Sequence, residues 1–174
     1  MRISVFGVGY VGAVSCGCLA GLGHDVLGVD TSPEKVAMLA RGQSPIVEAE
    51  IDGLIAEGVR SGRLRAGGDA AAAVAATEMS FVSVGTPSGR DGAVALGAVE
   101  GVSQAIGRAL RGKDGAHTVV MRSTVPPGTG EELVIPILEQ ESGRRLGDGL
   151  AYYRACCTIA HRNGAGAARC VIWC

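Results

Sequence analysis

Short apolar runs alternate along the chain with segments whose apolar residues recur at helical spacing. The apolar runs predict strands, at residues 3–6, 25–29, 64–66, 79–84 and 117–121. The segments between them predict helices, at residues 11–22, 31–40, 51–62, 70–76, within 93–110, and at 129–141. This alternation predicts an α/β fold, a Rossmann-type doubly wound parallel sheet with right-handed crossovers and the strand order 3-2-1-4-5.

The first predicted strand runs directly into Gly7-Val-Gly-Tyr-Val-Gly12, and a predicted helix follows at once. In this pattern Gly7 permits the tight turn, Gly9 lets a pyrophosphate approach the backbone, and Gly12 lets the helix pack close to the strand. The first turn of the helix offers unpaired N–H groups and a partial positive charge to phosphates. Asp30 follows Gly12 by eighteen residues, where a carboxylate accepts hydrogen bonds from ribose hydroxyls and repels a 2′-phosphate. Strand, helix and acid together predict a site for NAD rather than NADP, and an ordinary glycine turn is the weaker interpretation.

Ligands of such sheets bind outside the carboxyl ends of the strands. Four predicted loops reach that edge, at residues 7–12, 30–35, 85–88 and 123–128, and all carry small or hydroxyl residues. Taken singly, Thr86 and Thr124 are equally well explained by turn or capping hydrogen bonds. Because both fall at one edge of one sheet, we favour contact with the cofactor.

The composition narrows the class of protein. The chain has 174 residues, of which 47% are hydrophobic and 19% charged, which suits one globular domain. Lys and Arg number 16 against 17 Asp and Glu, so no basic surface for nucleic acid is expected. No apolar run has the length of a membrane span, and the first residues predict a strand rather than a signal peptide. We therefore expect a cytoplasmic protein with neither a membrane nor a nucleic-acid partner.

Several separate segments, in the same order, resemble the N-terminal part of the UDP-glucose/GDP-mannose dehydrogenases. They are Val5-Phe-Gly-Val-Gly-Tyr-Val-Gly12, Val29-Asp30, Lys35, Ser44-Pro-Ile-Val-Glu48, Val84-Gly-Thr-Pro87 and Arg122-Ser-Thr-Val-Pro-Pro-Gly-Thr129. The resemblance implies that NAD is contacted by the residues matching the family's motifs, namely Tyr10, Val11, Asp30, Lys35, Thr86 and Thr124. It also implies, for the full-length family, a nucleotide-sugar substrate, GDP-mannose or UDP-glucose. The C6 alcohol of that sugar is oxidised to a carboxylate in two NAD-dependent hydride transfers. Residues 44–48 are most similar to the GDP-mannose branch, which acts in alginate precursor synthesis.

The resemblance covers residues 1 to about 149, and the sequence departs from the family beyond that point. In the family, the cysteine of a Gly-Gly-x-Cys motif in a second domain forms the covalent intermediates. That motif is absent from these 174 residues, so we expect no catalytic residue here and no activity of this chain alone. Residues 149–153 are interpreted as a remnant of the family's sixth strand, so the sheet is expected to end at an uncovered edge that invites self-association. The expected domains are an NAD-binding Rossmann domain at 1–153, incomplete at its C-terminal edge, and a divergent, disordered tail at 154–174.

The tail brings together residue types that bind zinc or act as nucleophiles. They are Cys156, Cys157, His161, Cys170 and Cys174. The spacing lacks the paired Cys-x-x-Cys knuckles of zinc sites, and no activating neighbour of the family's kind is present. We therefore expect neither a metal site nor a catalytic thiol in the tail.

Two other functions compete with that of a dehydrogenase portion. A non-catalytic nucleotide-binding module would carry the same glycine motif without redox chemistry. A different small NAD enzyme, such as a hydroxyacid-type reductase, would need a catalytic His or Lys after the fifth strand. His117 begins that strand and His161 lies in the tail, so neither is well placed. The family resemblance favours the dehydrogenase portion over both.

Overall fold

Strands alternate with helices through the computed structural model, which describes residues 1–46, 49–88 and 92–155. The strands are β1 Arg2–Phe6, β2 Asp25–Val29, β3 Leu64–Gly67, β4 Met79–Val82, β5 His117–Met121, β6 Arg145–Leu146 and β7 Gly149–Arg154. The helices are α1 Tyr10–Gly21, α2 Pro33–Ala40, α3 Ala49–Arg60, α4 Ala70–Ala76, α5 Gly97–Arg111 and α6 Ile135–Ser142. One seven-stranded sheet results, in the order β3-β2-β1-β4-β5-β7-β6. The Rossmann-type fold and the predicted strand order are thereby confirmed.

Successive residues of each strand face opposite sides of the sheet and contribute to two hydrophobic cores. Phe81 and Val120 belong to the core beneath α1 and α3, on the side that we call the α1 face. Val82 and Met121 belong to the core beneath α4, α5 and α6, on the side that we call the α5 face. Because both faces are covered by helices, apolar residues are buried on both sides of the strands, which explains the apolar runs in the sequence.

The helix predicted at residues 129–141 is divided in two. The N–H of Ile135 bonds five residues back to the carbonyl of Gly130, which makes a π-helical turn in front of α6. Pro136 explains the change, because its nitrogen has no proton to donate to the carbonyl four residues back and its ring crowds that carbonyl. The turn packs tightly on β7, where a Cβ at Gly130 would lie 2.8 Å from the hydroxyl oxygen of Tyr152.

The expectation of an uncovered edge beside β5 is wrong. β7 pairs with β5 in parallel over five residue pairs, from His117 opposite Leu150 to Met121 opposite Arg154, and β6 lies outside β7. Leu150 is buried and Tyr152 packs against the core of the α5 face, so burial of apolar side chains stabilises this strand. Arg154, assigned to the tail from the sequence, is the last residue of β7. Self-association of the chain stays a prediction, but the edge of β5 cannot be the contact surface, because β7 covers it.

Two of the features singled out in the sequence lie outside the described residues. These are the cysteines and histidine of the tail, Cys156, Cys157, His161, Cys170 and Cys174, and the end of the GDP-mannose-like segment, Val47 and Glu48. In the part of the chain that the structure describes, no helix combines the length and the apolar character needed to cross a membrane.

A network of polar side chains, all buried except the partly buried Lys113, joins β1, β4 and β5 near their amino-terminal ends. The Lys113 ammonium lies 2.8 Å from Nδ1 of His117, and Nε2 of His117 lies 2.8 Å from Oγ of Ser80. Ser80 Oγ lies 2.8 Å from Oγ of Ser4. An ammonium group only donates, so Nδ1 accepts and the imidazole proton on Nε2 is donated to Ser80. His117 is 1% exposed and stands at the opposite end of β5 from the expected binding edge, so it is not placed to serve a reductase.

This buried imidazole predicts a pH dependence of stability. Burial, reinforced by the charge of Lys113, lowers the pKa of His117 from 6.5 to about 4. As pH falls through this interval the unfolded chain takes up the proton first, so the folded state loses stability. We expect a loss of roughly 2 kcal/mol from this group between about pH 6.5 and about pH 5. Urea unfolding at the two pH values measures it.

His117→Gln replaces the imidazole with an amide, which can form hydrogen bonds but does not titrate. The variant should therefore lose most of the pH dependence of stability. His24→Gln, at a partly exposed position outside the network, should retain it. An unchanged pH dependence in His117→Gln would show that the stability loss arises elsewhere.

Candidate functional site

The turn between β1 and α1 brings three segments of backbone into close contact. Gly7 has a φ of +88°, which favours glycine, and its N–H donates to the carbonyl of Val29 at 2.7 Å. A Cβ at Gly7 would lie 2.7 Å from the carbonyl oxygen of Ser83, and a Cβ at Gly12 would lie 1.7 Å from the carbonyl oxygen of Gly7. Both positions therefore require glycine for the fold itself. The roles predicted for Gly7 and Gly12 from the sequence agree with this geometry.

Gly9 stands apart from the other two glycines, because no described atom lies within 4 Å of the position its Cβ would occupy. Its φ of −72° is accessible to any residue. The fold alone thus gives no reason for glycine at this position. Gly9 is the N-cap of α1, and Tyr10 and Val11 begin the first turn, with Tyr10 53% exposed. The open space at Gly9 is a cradle in front of the α1 N-terminus, where N–H groups and the helix dipole favour an anion.

Asp30 connects this turn to the loop that follows β2. Its Oδ2 accepts a hydrogen bond from the N–H of Val8 at 2.8 Å, and its Oδ1 accepts one from the N–H of Ser32 at 2.9 Å. The ammonium of Lys35, in the first turn of α2, lies 3.7 Å from Oδ2. The carboxylate is 10% exposed, and two hydrogen bonds leave it further lone pairs for ligand hydroxyls. The sequence predicted a ribose contact and did not predict that Asp30 also holds the glycine turn in place.

Thr86 and Thr124 lie in the loops after β4 and β5 and contact each other. The hydroxyl of Thr86 donates to the carbonyl of Thr124 at 2.8 Å, and the neighbouring hydroxyl of Ser123 donates to the carbonyl of Val84 at 2.8 Å. These hydrogen bonds connect the two loops. The structural role that we considered for Thr86 and Thr124 as the alternative to cofactor contact is therefore present, at least for Thr86 as donor and Thr124 as acceptor. A hydroxyl that donates to a carbonyl still accepts through its oxygen, and contact with NAD stays a prediction for both threonines.

Sequence reasoning missed two polar residues at the same edge. Oγ of Ser83 and Nε of Arg122 are buried and have no hydrogen-bond partner among the described residues. Ser83 directly precedes the Val84-Gly-Thr-Pro87 segment, and Arg122 directly precedes Ser123 and Thr124. Arg122 begins a segment that resembles the family, but no role was predicted for it or for Ser83, because only the pairing of β4 with β5 brings the ends of these strands together.

The cysteines of the described residues are not suited to nucleophilic chemistry. Cys16 and Cys18 are buried in α1 and form no disulfide within the described residues, and burial raises the pKa of Cys16 to about 12. Since the thiolate is the reactive form, Cys16 is inert at neutral pH. Residues 1–46, 49–88 and 92–155 also contain no group of three or more His, Cys, Asp or Glu side chains arranged to hold a metal ion.

Together these features fit a dinucleotide. The open position at Gly9 accommodates a pyrophosphate, the α1 N-terminus has the complementary charge, and the Asp30 carboxylate stands beside both. Lys35, Thr86 and Thr124 lie on the loops at the same edge of the sheet. The structure therefore brings all the predicted site residues to one edge, although their individual contacts with a ligand stay predictions.

Comparison with known proteins agrees with this site. The model of the NAD binding domain of the UDP-glucose/GDP-mannose dehydrogenase family matches residues 1–158. The GDP-mannose 6-dehydrogenase of Azotobacter vinelandii is 54% identical over 147 residues, covering 84% of this chain and 34% of that protein. The UDP-glucose 6-dehydrogenase of Haloferax volcanii is 41% identical over 150 residues, covering 86% of this chain and 34% of that protein.

Solved structures show the same relationship. A ternary complex of GDP-mannose dehydrogenase from Pseudomonas aeruginosa superposes with a TM-score of 0.86 at 47% identity, covering 87% of this chain and 35% of that chain. A UDP-glucose dehydrogenase from Pyrobaculum islandicum superposes with a TM-score of 0.81 at 41% identity, covering 87% and 34%. The chain thus spans about a third of the length of the relatives that it matches.

The two glycines predict opposite outcomes of the same substitution. Gly12→Ala should fail to fold stably, because its Cβ would lie 1.7 Å from the Gly7 carbonyl oxygen. Gly9→Ala should fold as the native chain does and lose NAD affinity by about tenfold or more, because the methyl group fills the space for the ligand. Thermal unfolding and titration calorimetry with NAD measure the two effects.

Gly101→Ala, in α5 with open space around its Cβ position, is the matched control. It should leave NAD binding unchanged and increase stability slightly, as alanine does in a helix interior. Native-like NAD affinity in Gly9→Ala, or native-like stability in Gly12→Ala, would contradict this description of the turn.

Proposed function

Because this chain belongs to the UDP-glucose/GDP-mannose dehydrogenase family and has NAD as its cofactor, we propose that it is the NAD-binding portion of a nucleotide-sugar 6-dehydrogenase. The observation that carries the proposal is the open position at Gly9, between the first turn of α1 and the Asp30 carboxylate. We assign GDP-mannose as the sugar nucleotide, oxidised to GDP-mannuronate as in alginate precursor synthesis. The higher identity to the Azotobacter enzyme than to the Haloferax enzyme supports this choice.

In the proposed reaction the C6 alcohol of the sugar becomes a carboxylate, and two NAD molecules accept the two hydrides. The contribution of this chain is to bind and orient NAD. Asp30 holds the adenosine ribose, the α1 N-terminus holds the pyrophosphate, and the loops at Thr86 and Thr124 hold the nicotinamide end. Oxidation to the acid level through a thioester needs a positioned thiolate. The 174 residues contain no Gly-Gly-x-Cys motif, so we propose that these residues alone bind the cofactor and do not complete the oxidation.

A non-catalytic nucleotide-binding module is the second candidate. Among the described residues, the buried state of Cys16 and Cys18 favours it as the behaviour of these residues by themselves. The two candidates share the NAD site and differ only in whether the chain contributes to a dehydrogenase reaction.

The Asp30 carboxylate should make the chain prefer NAD to NADP by about tenfold or more, because it accepts bonds from ribose hydroxyls and repels a phosphate. Asp30→Ala should bring the ratio of the two affinities close to one. The ratio is the informative quantity, since Asp30 also holds the N–H groups of Val8 and Ser32 and its loss loosens the turn for both cofactors. Titration calorimetry with each cofactor provides the values.

Asp25→Ala is the control, because this exposed carboxylate lies at the other end of β2 and should leave the ratio unchanged. Equal affinity of the native chain for NAD and NADP would contradict the assignment of Asp30 to the ribose hydroxyls.

The purified chain with NAD and either GDP-mannose or UDP-glucose should give no sustained formation of NADH. The 174 residues contain no Gly-Gly-x-Cys motif, and the two cysteines of the described residues are buried, so we expect no activated thiolate to carry the oxidation. Absorbance at the NADH wavelength is the measurement, with the full-length Azotobacter enzyme under the same conditions as the positive control. A sustained rise that Asp30→Ala abolishes would show that these residues carry out the oxidation themselves.

A further inference from the structure

Ser83 and Arg122 follow neighbouring strands at the carboxyl edge of the sheet. The paired register of β4 and β5 ends with Val82 opposite Met121, so Ser83 and Arg122 are the first residues beyond the paired strands. Phe81 and Val120 belong to the core of the α1 face, and Ser83 lies on that same face, because its Cβ is 3.5 Å from the Cβ position at Gly12. The backbone is held there, because the N–H of Arg122 donates to the carbonyl of Val82 at 2.8 Å.

Both side chains carry a buried polar atom without a partner in the described residues. Ser83 is 8% exposed, and its Oγ has no hydrogen bond; the same holds for Nε of the partly buried Arg122. Leaving such groups unsatisfied is unfavourable, and native structures seldom do so without a functional reason. Arg144 shows the usual arrangement in this chain, since its guanidinium donates to the backbone carbonyls of Lys113, Gly115 and Gly149.

The surroundings of the pair indicate the charge of what it would bind. The Cβ of Ser83 lies 3.5 Å from the Cβ position at Gly12, and the carbonyl oxygen of Ser83 lies 2.7 Å from the Cβ position at Gly7. Ser83 is therefore beneath the first turn of α1, whose N–H groups and dipole favour an anion, and Arg122 follows the neighbouring strand at the same edge. A guanidinium adds a full positive charge, and both groups are hydrogen-bond donors. A phosphate oxygen accepts from such donors and is the chemistry that the pair fits best.

We propose that Ser83 and Arg122 form a subsite for the pyrophosphate of the bound dinucleotide, in addition to the backbone groups of the glycine turn. The proposal rests on the proposed function in that the dinucleotide is NAD. Both are positioning residues: they hold the phosphate bridge and take no part in hydride transfer. The sheet register explains why two residues 39 positions apart in the sequence, 83 and 122, act together.

Calorimetric titration of the full chain with NAD, ADP-ribose, ADP and adenosine tests the proposal. Arg122→Gln should weaken the three phosphate-bearing ligands by about tenfold and Ser83→Ala by about threefold, in proportion to the strength of charged and neutral hydrogen bonds. Adenosine has no phosphate, so its affinity should be unchanged. Arg122→Lys keeps the charge without the fork of donors and should recover part of the loss. The dependence of ADP affinity on salt should be shallower in Arg122→Gln than in the native chain.

Arg154→Gln is the matched control, because Arg154 ends β7 at the same edge, is exposed, and follows Tyr152 on the α5 face. It should bind all four ligands as the native chain does. Thermal unfolding without ligand separates positioning from a structural role. Ser83→Ala removes an unpaired buried hydroxyl, so its melting temperature should be equal to or above that of the native chain.

Three results would overturn the proposal. Unchanged ADP affinity in Arg122→Gln and Ser83→Ala would show that the pair does not contact phosphate. A loss confined to NAD, with ADP-ribose unaffected, would place the pair at the nicotinamide. An equal loss for adenosine, with a lower melting temperature, would make the role structural. In each case NAD binding by the native chain leaves the proposed function standing, whereas a native chain that binds neither NAD nor ADP overturns both.

Discussion

The close approach of α1 to the end of β1 is the constraint on which the site depends. The contact exists because Gly12 has no side chain, and any Cβ there would overlap the carbonyl oxygen of Gly7. Gly7 in turn packs against the backbone of Ser83 and donates to Val29. One turn thus joins β1, β2 and β4 and directs the N-terminus of α1 over the edge of the sheet. The same turn positions Asp30, because the N–H of Val8 donates a hydrogen bond to its carboxylate.

The two ends of the sheet differ in how their polar groups are satisfied. At the amino-terminal end, Lys113, His117, Ser80 and Ser4 form a continuous chain of hydrogen bonds that needs no further partner. At the carboxyl end, the α1 N-terminus has no side-chain cap, and the buried donors of Ser83 and Arg122 have no partner among the described residues. The polar groups at the first end are satisfied by one another, whereas the donors at the second end would be satisfied by the anionic ligand that we propose. The direction of the parallel strands places Ser83, Arg122 and the N-terminus of α1 at one edge of the sheet.

The parts of the fold that follow local rules were predictable from the sequence. The glycine motif depends on residues near one another in the chain, and the strand order through β5 follows from the alternation of strands with helices. The rest depends on distant pairing. The sequence predicted only a remnant of a strand where β7 pairs fully with β5, because β7 is stabilised by packing of Leu150 and Tyr152 in the core of the α5 face. The π-helical turn comes from Pro136 inside a segment whose apolar spacing is otherwise helical.

The candidate site also has one part that was predictable from the sequence and another that was not. Gly7, Gly9, Gly12 and Asp30 were predicted because their spacing is fixed by one strand, one turn and one helix. No role was predicted for Ser83 and Arg122, although they adjoin or begin family-like segments, because only the pairing of β4 with β5 brings the ends of these strands together. The bonds from Asp30 to the N–H groups of Val8 and Ser32 were missed too, since the motif explains the acid by the ligand alone.

An amide NMR titration of the chain with NAD tests the central claim most directly, because it locates the ligand without relying on any variant. The account predicts that the largest shifts fall on residues 8–12 and 30–32, with further shifts at 83–86 and 122–124. Residues 113–118, at the opposite end of the sheet, should hardly change. Shifts concentrated at 113–118, or no saturable shifts at residues 8–12, would contradict a dinucleotide site built on the turn between β1 and α1.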